Sequence, residues 1–310
     1  MRVVILGAGG VGGYLGARLI TGGADVTFLT RDARTAALKA AGLVVKSPLG
    51  DFAAPVKVMA AGTAPETAPD AVVLACKEPA LPEALDAVTP LLGAETRLLP
   101  LLNGVRQLDL LSERYPDTRL LGGIVHCAAN LRPDGVIEHL SSFMTVITGP
   151  VATASDPVAD EFVGRLKGAG VEAYVTHEIR QDMWNKFVFL AAFAGITCLM
   201  RASIGTILQT DRGRARILHL LEETRSVAQA EGYEPPEAIM DEYRALLTRE
   251  DSTLTSSMLR DIESGRRTEG AHILGDMLAR ARKHELAAPV LAIAAAHVQA
   301  YEKRLGAPAA

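Results

Sequence analysis

The sequence predicts an α/β fold, with an N-terminal Rossmann-type doubly wound sheet followed by an all-helical C-terminal domain. Three observations predict it. The apolar run Arg2-Val3-Val4-Ile5-Leu6 leads straight into Gly7-Ala8-Gly9-Gly10-Val11-Gly12. Strand-like and helix-like stretches then alternate to about residue 178. From Asp182 to Arg304 helical periodicity dominates and no strand-like alternation persists. The expected domains are therefore 1–178 and 179–310.

The elements follow in order. A strand, a G-x-G-x-x-G turn and a helix are the parts of a dinucleotide site. Gly7 would allow the tight turn, Gly9 a close approach of backbone to pyrophosphate, and Gly12 close packing of helix on strand. The helix of Val11 to Ile20 stops at Gly22-Gly23, and Asp25 to Leu29 is the second strand. Leu43 to Val45 and Val56 to Val58 read as extended. Ala71 to Ala75 is apolar without alternation, as in a strand buried on both faces. A helix around Leu81 to Leu92 and strands at Arg97 to Leu101 and Leu121 to Cys127 come next. Val136 to His139 and Met144 to Ile147 read as a hairpin pair, and Val171 to Val175 as the last strand. In the helical half, breaks fall at Gly232, at Pro235-Pro236 and at Pro289.

Composition narrows the function classes. The chain has 310 residues, 49% of them hydrophobic, which suits two domains with sizeable cores. A formal charge of −4 without a basic run argues against a nucleic-acid partner. Cys76, Cys127 and Cys198 lie in apolar stretches and read as buried free thiols of a reducing compartment. The seven histidines are scattered, so no metal site is expected. The N-terminal apolar run is too short for a signal peptide. The run Phe187 to Met200 is too short to span a bilayer and reads as a buried helix. No membrane partner and a cytoplasmic location are expected. The apolar helices leave room for a homodimer, or complete one domain's core.

Several residues could carry chemistry. After the second strand the chain reads Thr30-Arg31-Asp32. A carboxylate directly at that strand end would grip a ribose 2′-hydroxyl, whereas Thr30 and Arg31 can bind a 2′-phosphate. This favours NADP(H) over NAD(H). A strand ending one residue later would put Asp32 in play and reverse the preference. Lys77 follows a buried strand and would face the cofactor crevice, or is a solvated loop lysine. Asn103, before Gly104, could hold a nicotinamide, or belongs to a common Asn-Gly turn. Lys186 stands at the start of the longest apolar run, where burying an ammonium is costly. It could stabilise and protonate an alkoxide formed by hydride reduction, or snorkel from a helix end. Ser257 could bind a carboxylate or cap a helix. Glu269 could bind a substrate hydroxyl or be a surface charge. A nucleotide domain followed by a helical one suggests an active site in a cleft between them.

Taken together, Gly7-x-Gly9-x-x-Gly12, Arg31, Lys77, Asn103-Gly104, Trp184-x-Lys186, Ser257-Met258-x-x-Asp261 and Thr268-Glu269 resemble the ketopantoate reductase (2-dehydropantoate 2-reductase) family, over nearly the whole chain. The spacing from Ser257 to Glu269 is the most specific part. The resemblance implies NADPH-dependent reduction of the 2-oxo group of ketopantoate (2-dehydropantoate) to the hydroxyl of pantoate, a step towards pantothenate and coenzyme A. It implies Lys186 as general acid, with Glu269 beside it favouring the ammonium. Asn103 and Lys77 would lie near the nicotinamide, Arg31 at the 2′-phosphate, and Ser257 and Glu269 at the substrate.

The chain also departs from the family. Asn is expected four and eight residues beyond the lysine, where Leu190 and Ala194 stand, and Gln is frequent at the position of Ala80. Lost amides weigh on substrate choice. Two alternatives follow: a paralogous reductase of a more apolar 2-oxo acid or other carbonyl compound, and a non-catalytic NADP(H)-binding sensor.

Overall fold

In a computed structural model, residues 1–306 are described, except 64, 117 and 118. The chain forms two compact units. The first comprises Met1–Leu102 and Gln107–Ile179, and the second the short segment Asn103–Arg106 with the chain from Arg180 onward.

The first unit is a sheet layered with helices. Its strands are β1 (Arg2–Leu6), β2 (Asp25–Leu29), β3 (Leu43–Lys46), β4 (Phe52–Ala54), β5 (Lys57–Met59), β6 (Ala71–Leu74), β7 (Arg97–Pro100), β8 (Arg119–His126), β9 (Ala129–Leu131), β10 (Ile137–His139), β11 (Thr145–Pro150) and β12 (Glu172–Val175). Its helices are α1 (Gly10–Thr21), α2 (Asp32–Ala41), α3 (Leu81–Val88), α4 (Arg106–Arg114) and α5 (Pro157–Gly168). The main sheet runs β12-β11-β8-β7-β6-β1-β2-β5. From β5 to β8 every pairing is parallel. The chain leaves β1 to one side for β2 and returns on the other for β6. This reversal is the topological switch point at which doubly wound sheets bind ligands.

Alternate side chains of β1 serve two cores, as a strand's period of two requires. Val3 and Ile5 pack with Leu15 and Leu19 of α1 and Phe162 and Leu166 of α5. Val4 packs with Val72 and Leu74 of β6 and with Leu81, Leu85 and Val88 of α3. β6 and β7 are buried along their whole length, which explains why Ala71 to Leu74 shows no polar alternation.

The expected hairpin of Val136 to His139 with Met144 to Ile147 does not form. β10 instead pairs antiparallel with β9 across the Arg132-Pro133-Asp134-Gly135 turn, where Gly135 has a φ of +85°. β11 pairs antiparallel with β8 and parallel with β12. The turn residues that make a hairpin lie before β10, not after it. β10 also pairs parallel with β3, closing a second sheet of order β4-β3-β10-β9 that the sequence did not announce.

The second unit is helical: α6 (Ile179–Met200), α7 (Ile204–Leu208), α8 (Gly213–Ala230), α9 (Glu237–Leu247), α10 (Ser257–Glu263), a π-helical turn (Ala271–Gly275), α11 (Asp276–Lys283) and α12 (Pro289–Leu305). Gly232 follows α8, Pro236 precedes α9, and Pro289 opens α12 at the position where a missing N–H costs nothing. α6 is 22 residues long, a turn or more longer at its start than the apolar run suggested. By length and composition it could cross a membrane, and 61% of its most apolar stretch is buried inside the protein. Of the three free thiols only Cys198 is buried; Cys76 and Cys127 are half-buried. Burial pushes the Cys198 thiol up to about 11.

One buried ion pair ties the sheet to α5. Arg97 Nε of β7 donates to Asp156 Oδ2 at 2.9 Å, and both side chains are almost fully buried. Asp156 Oδ1 also accepts the Val158 N–H at 2.9 Å, capping α5 just before Pro157. Removing the carboxylate would leave the buried guanidinium with Glu95 alone, whose carbonyl and Oε2 accept from Nη1, and would uncap a helix. Asp156→Ala is expected to cost about 3–5 kcal/mol in urea unfolding. A loss well below 1 kcal/mol would show that the pair is not the tie described here.

Candidate active site

The glycine turn lies at the carboxyl end of β1, between the ends of its two neighbours. Gly7 has a φ of +101°, which a side chain would strain, and its N–H donates to the Leu29 carbonyl at 3.0 Å. A Cβ on Gly7 would come within 2.9 Å of the Ala75 carbonyl oxygen, beyond β6. A Cβ on Gly12 would collide with the Gly7 carbonyl and with Ala75. Gly9 differs, because a Cβ there would meet nothing within 4 Å. The open side of the loop is thus at Gly9, the N-cap of α1, and the first turn of α1 carries no acidic residue. A helix N-terminus with bare amides and no carboxylate fits an anionic pyrophosphate.

β2 ends at Leu29, so Asp32 is not at the strand end but opens α2. Arg31 is exposed and is the N-cap of α2. Thr30 is nearly buried and its hydroxyl lies 2.7 Å from Thr35 Oγ1, so it is engaged locally. The expected phosphate-binding pair therefore reduces to Arg31. Lys77 is exposed just beyond the end of β6.

Arg34 was not singled out by its sequence position. Its Nε donates to the Ala8 carbonyl of the glycine turn at 3.0 Å, and Nη1 to the Gly135 carbonyl at 3.1 Å. Burial lowers its pKa. It braces the loop against the β9–β10 turn. Only the number of residues between it and the glycines could have hinted at this, and many surface arginines share such spacing.

In the helical unit, Lys186 lies half-buried within α6, about two turns from its start rather than at it. Trp184, two residues before it, is buried, stacks on Tyr233 with centroids 5.8 Å apart, and has Arg280 over its ring at 5.2 Å. Leu190 is one turn beyond Lys186 and Thr197 about three turns, so the three share a face. Thr197 Oγ1 is hydrogen-bonded to Ser256 Oγ at 2.8 Å. Ser256 also accepts the Leu259 N–H, making it the N-cap of α10. Ser257, its neighbour, is the first residue of the helix and exposed, so the capping role considered for it falls to Ser256. Asp261 is buried and accepts from Arg266 Nε at 2.9 Å.

Asn103 and Glu269, far apart in sequence, are brought together: Asn103 Nδ2 donates to Glu269 Oε2 at 3.3 Å. Asn103 belongs to the helical unit although it follows β7. Gly104 has a φ of +84°, so the Asn-Gly pair makes a turn.

A glycine turn at the switch point of a Rossmann unit, joined in sequence to a helical unit, fits the oxidoreductase class, and the comparisons with known proteins agree. Residues 3–151 match the family described as ketopantoate reductase PanE/ApbA, and residues 178–302 match its C-terminal domain. The chain belongs to the ketopantoate reductase family. It is 34% identical to an uncharacterized oxidoreductase, YkpB, of Bacillus subtilis (strain 168), over 97% of this chain and 99% of the relative. It is 30% identical to a 2-dehydropantoate 2-reductase of Mesorhizobium japonicum, over 87% of this chain and 88% of that one. The structure of D-mandelate dehydrogenase with NADH and anilino(oxo)acetate shares the fold, with a TM-score of 0.88 and 21% identity over 99% of this chain and 100% of that one.

A charge cluster supports the α6 segment that carries Lys186. Glu231, just after α8, accepts from Lys283 Nζ at 2.8 Å, His284 Nε2 at 2.7 Å and Arg280 Nη1 at 2.7 Å. Burial pushes the Glu231 carboxyl up, but the cationic donors outweigh it and hold the group at about 2, against 4.5 for a free glutamate. A lowered folded-state pKa gives stability that is fully present above the unfolded value and lost as pH falls through the folded one. Wild type should be more stable than Glu231→Gln near neutrality. The gap should close between pH 4.5 and about 2. A gap in urea midpoints that stays constant across this range would sink the assignment.

Proposed function

We propose that the protein reduces a 2-oxo acid to a 2-hydroxy acid with NADPH, and that 2-dehydropantoate (ketopantoate) is its first candidate substrate. The observation that carries this is the Asn103–Glu269 hydrogen bond in the unit that also presents Lys186 directly before the apolar run Phe187 to Met200 of α6. A pure binding protein has no use for such a set, which weighs against the non-catalytic sensor.

NADPH, when bound, supplies a hydride for the carbonyl carbon. The residues of this chain supply the rest. Amides at the Gly9 end of α1 would hold the pyrophosphate, and Arg31 the 2′-phosphate, with a charge-assisted bond that NADH lacks. Lys77 and Asn103 would lie at the nicotinamide. Lys186 would donate its ammonium proton to the carbonyl oxygen as negative charge develops there. Ser257 would receive the carboxylate and Glu269 a substrate hydroxyl.

The test is NADPH oxidation with ketopantoate over a range of concentrations, repeated with NADH. Saturable turnover that favours NADPH is expected. Lys186→Ala should lower kcat by about two orders of magnitude or more, while NADPH binding, read by fluorescence titration, changes little. Equal loss of both would make the lysine structural.

A second reading rests on Leu190. It sits one turn beyond Lys186 on the half-buried face, where a family amide is expected. An apolar group there cannot bond a substrate hydroxyl, and favours a substrate with an apolar group in its place. Leu190→Asn should then raise kcat/KM for ketopantoate relative to a 2-oxo acid with an alkyl side chain, by about tenfold or more. An unchanged ratio would remove Leu190 from the substrate's surroundings.

A further inference from the structure

We infer that His272 is a positioning residue that holds Asn103 in place for the reaction. Its catalytic consequence rests on the reductase reading above. His272 lies in the π-helical turn Ala271–Gly275 and is 1% exposed. Its Nε2 is 2.6 Å from the Asn103 carbonyl oxygen. A carbonyl only accepts, so Nε2 carries the proton and donates. Nδ1 is buried and has no hydrogen-bond partner among the described residues. Among the described residues, the bond to Asn103 is thus the imidazole's one hydrogen bond.

Asn103 is gripped at both ends from one turn of backbone. His272 holds its peptide carbonyl, and Glu269, three residues earlier, holds its side-chain amide. That turn is itself pinned. Glu302 Oε1 of α12 accepts the Thr268 N–H at 2.6 Å and the Thr268 hydroxyl at 2.7 Å. Thr268 Oγ1 in turn accepts the Gly270 N–H at 3.0 Å. Gly104 completes the fit, since a Cβ there would stand 3.0 Å from His272 Nε2. π-helical turns are rare and concentrate at functional sites. This one carries the imidazole, and Glu269, two residues before its start, brings a carboxylate to the same asparagine.

A side chain that fixes the peptide of a site residue acts on rate through geometry, because small displacements of a positioned group are costly in turnover. The histidine would not touch substrate. Its loss should be felt only while Asn103 has a side chain to place.

The experiment uses full-length His272→Phe, His272→Gln, Asn103→Ala and the Asn103→Ala/His272→Phe double variant. Urea midpoints verify that each is folded. Glutamine can put an N–H donor near the place of Nε2, whereas phenylalanine fills the space without one. H272F is expected to lower kcat by about tenfold or more, H272Q to restore most of it, and H272F to cost little further once N103A is present. Full activity in H272F, equal losses in H272F and H272Q, or losses that multiply in the double variant would each overturn the inference. Should wild type reduce no 2-oxo acid, the functional reading falls, and the His272 inference is read from cofactor binding alone. H272F then weakens NADPH several-fold with no such effect when N103A is present and none on 2′,5′-ADP, which lacks the nicotinamide. Unchanged NADPH binding in H272F overturns it.

Discussion

The Rossmann unit depends on how closely α1 is held between two sheets. On one side Gly12 and Gly16 let the helix lie on the main sheet, where added Cβ atoms would meet Ala75 and the ring of Phe28. On the other side Gly10 and Gly13 let the second sheet approach, where they would meet the Ala129 backbone and Ile137. A helix so rich in glycine has poor intrinsic propensity, and it forms because packing on both faces outweighs that deficit. With α1 fixed on both sides, its N-terminus is fixed too, and Gly9 is left facing open space. Arg34 adds a strut from the loop to the second sheet through Ala8 and Gly135. The second sheet is therefore part of what holds the glycine turn in place, although none of its strands belongs to the motif itself.

The strands easiest to read in the sequence were those whose neighbours are local or whose burial is complete. β6 and β7 are buried along their length because parallel strands covered on both faces have no polar side to show, whereas β2 keeps Asp25 exposed and Thr27 half-buried. The second sheet was not legible. Its strands are three or four residues long, and β3 pairs with β10 across a wide sequence gap. Strands that short carry too few alternations to fix a register, and that is why β10 was matched to the wrong neighbour. The Pro133-Asp134-Gly135 signal for the true hairpin was present, but β9 ahead of it is only Ala129-Asn130-Leu131, with the last two exposed.

The site was legible in kind and not in detail. Motif spacing marked Gly7, Gly9, Gly12, Arg31, Lys186, Ser257 and Glu269 as candidates. It did not reveal that Ser256 does the capping that frees Ser257's end of α10 to face solvent. Nor did it reveal Thr30's engagement with Thr35. His272 was invisible for a different reason. A lone histidine among apolar residues reads as core, and its partner is a backbone carbonyl, which leaves no trace in side-chain chemistry. Such a contact becomes apparent only once Asn103–Arg106 is seen to group with the helical unit rather than with the sheet it follows.

The two departures from the family along α6 are not equivalent. Ala194 is 0% exposed, so the amide it replaces has been exchanged for a methyl inside the helical core. An unpaired amide buried there would cost stability, and alanine removes that cost. Leu190 is half-buried on the face shared with Lys186. Only this second exchange alters a surface that a substrate could meet. The apolar character inferred for the pocket therefore comes down to one side chain, one helical turn from Lys186. Phe193 prolongs the same face as a half-buried aromatic, stacked on Phe189 at 5.5 Å. A substrate that reaches past Leu190 would next encounter an aromatic ring, with no amide to bond it. Discrimination on this face would rest on shape and desolvation, which separate alkyl groups of different size by only about 1–3 kcal/mol per methylene. On the 2-oxo acid reading proposed above, such a pocket would tolerate a range of side groups, while the chemistry would stay fixed by the carboxylate and the 2-oxo group that each substrate carries.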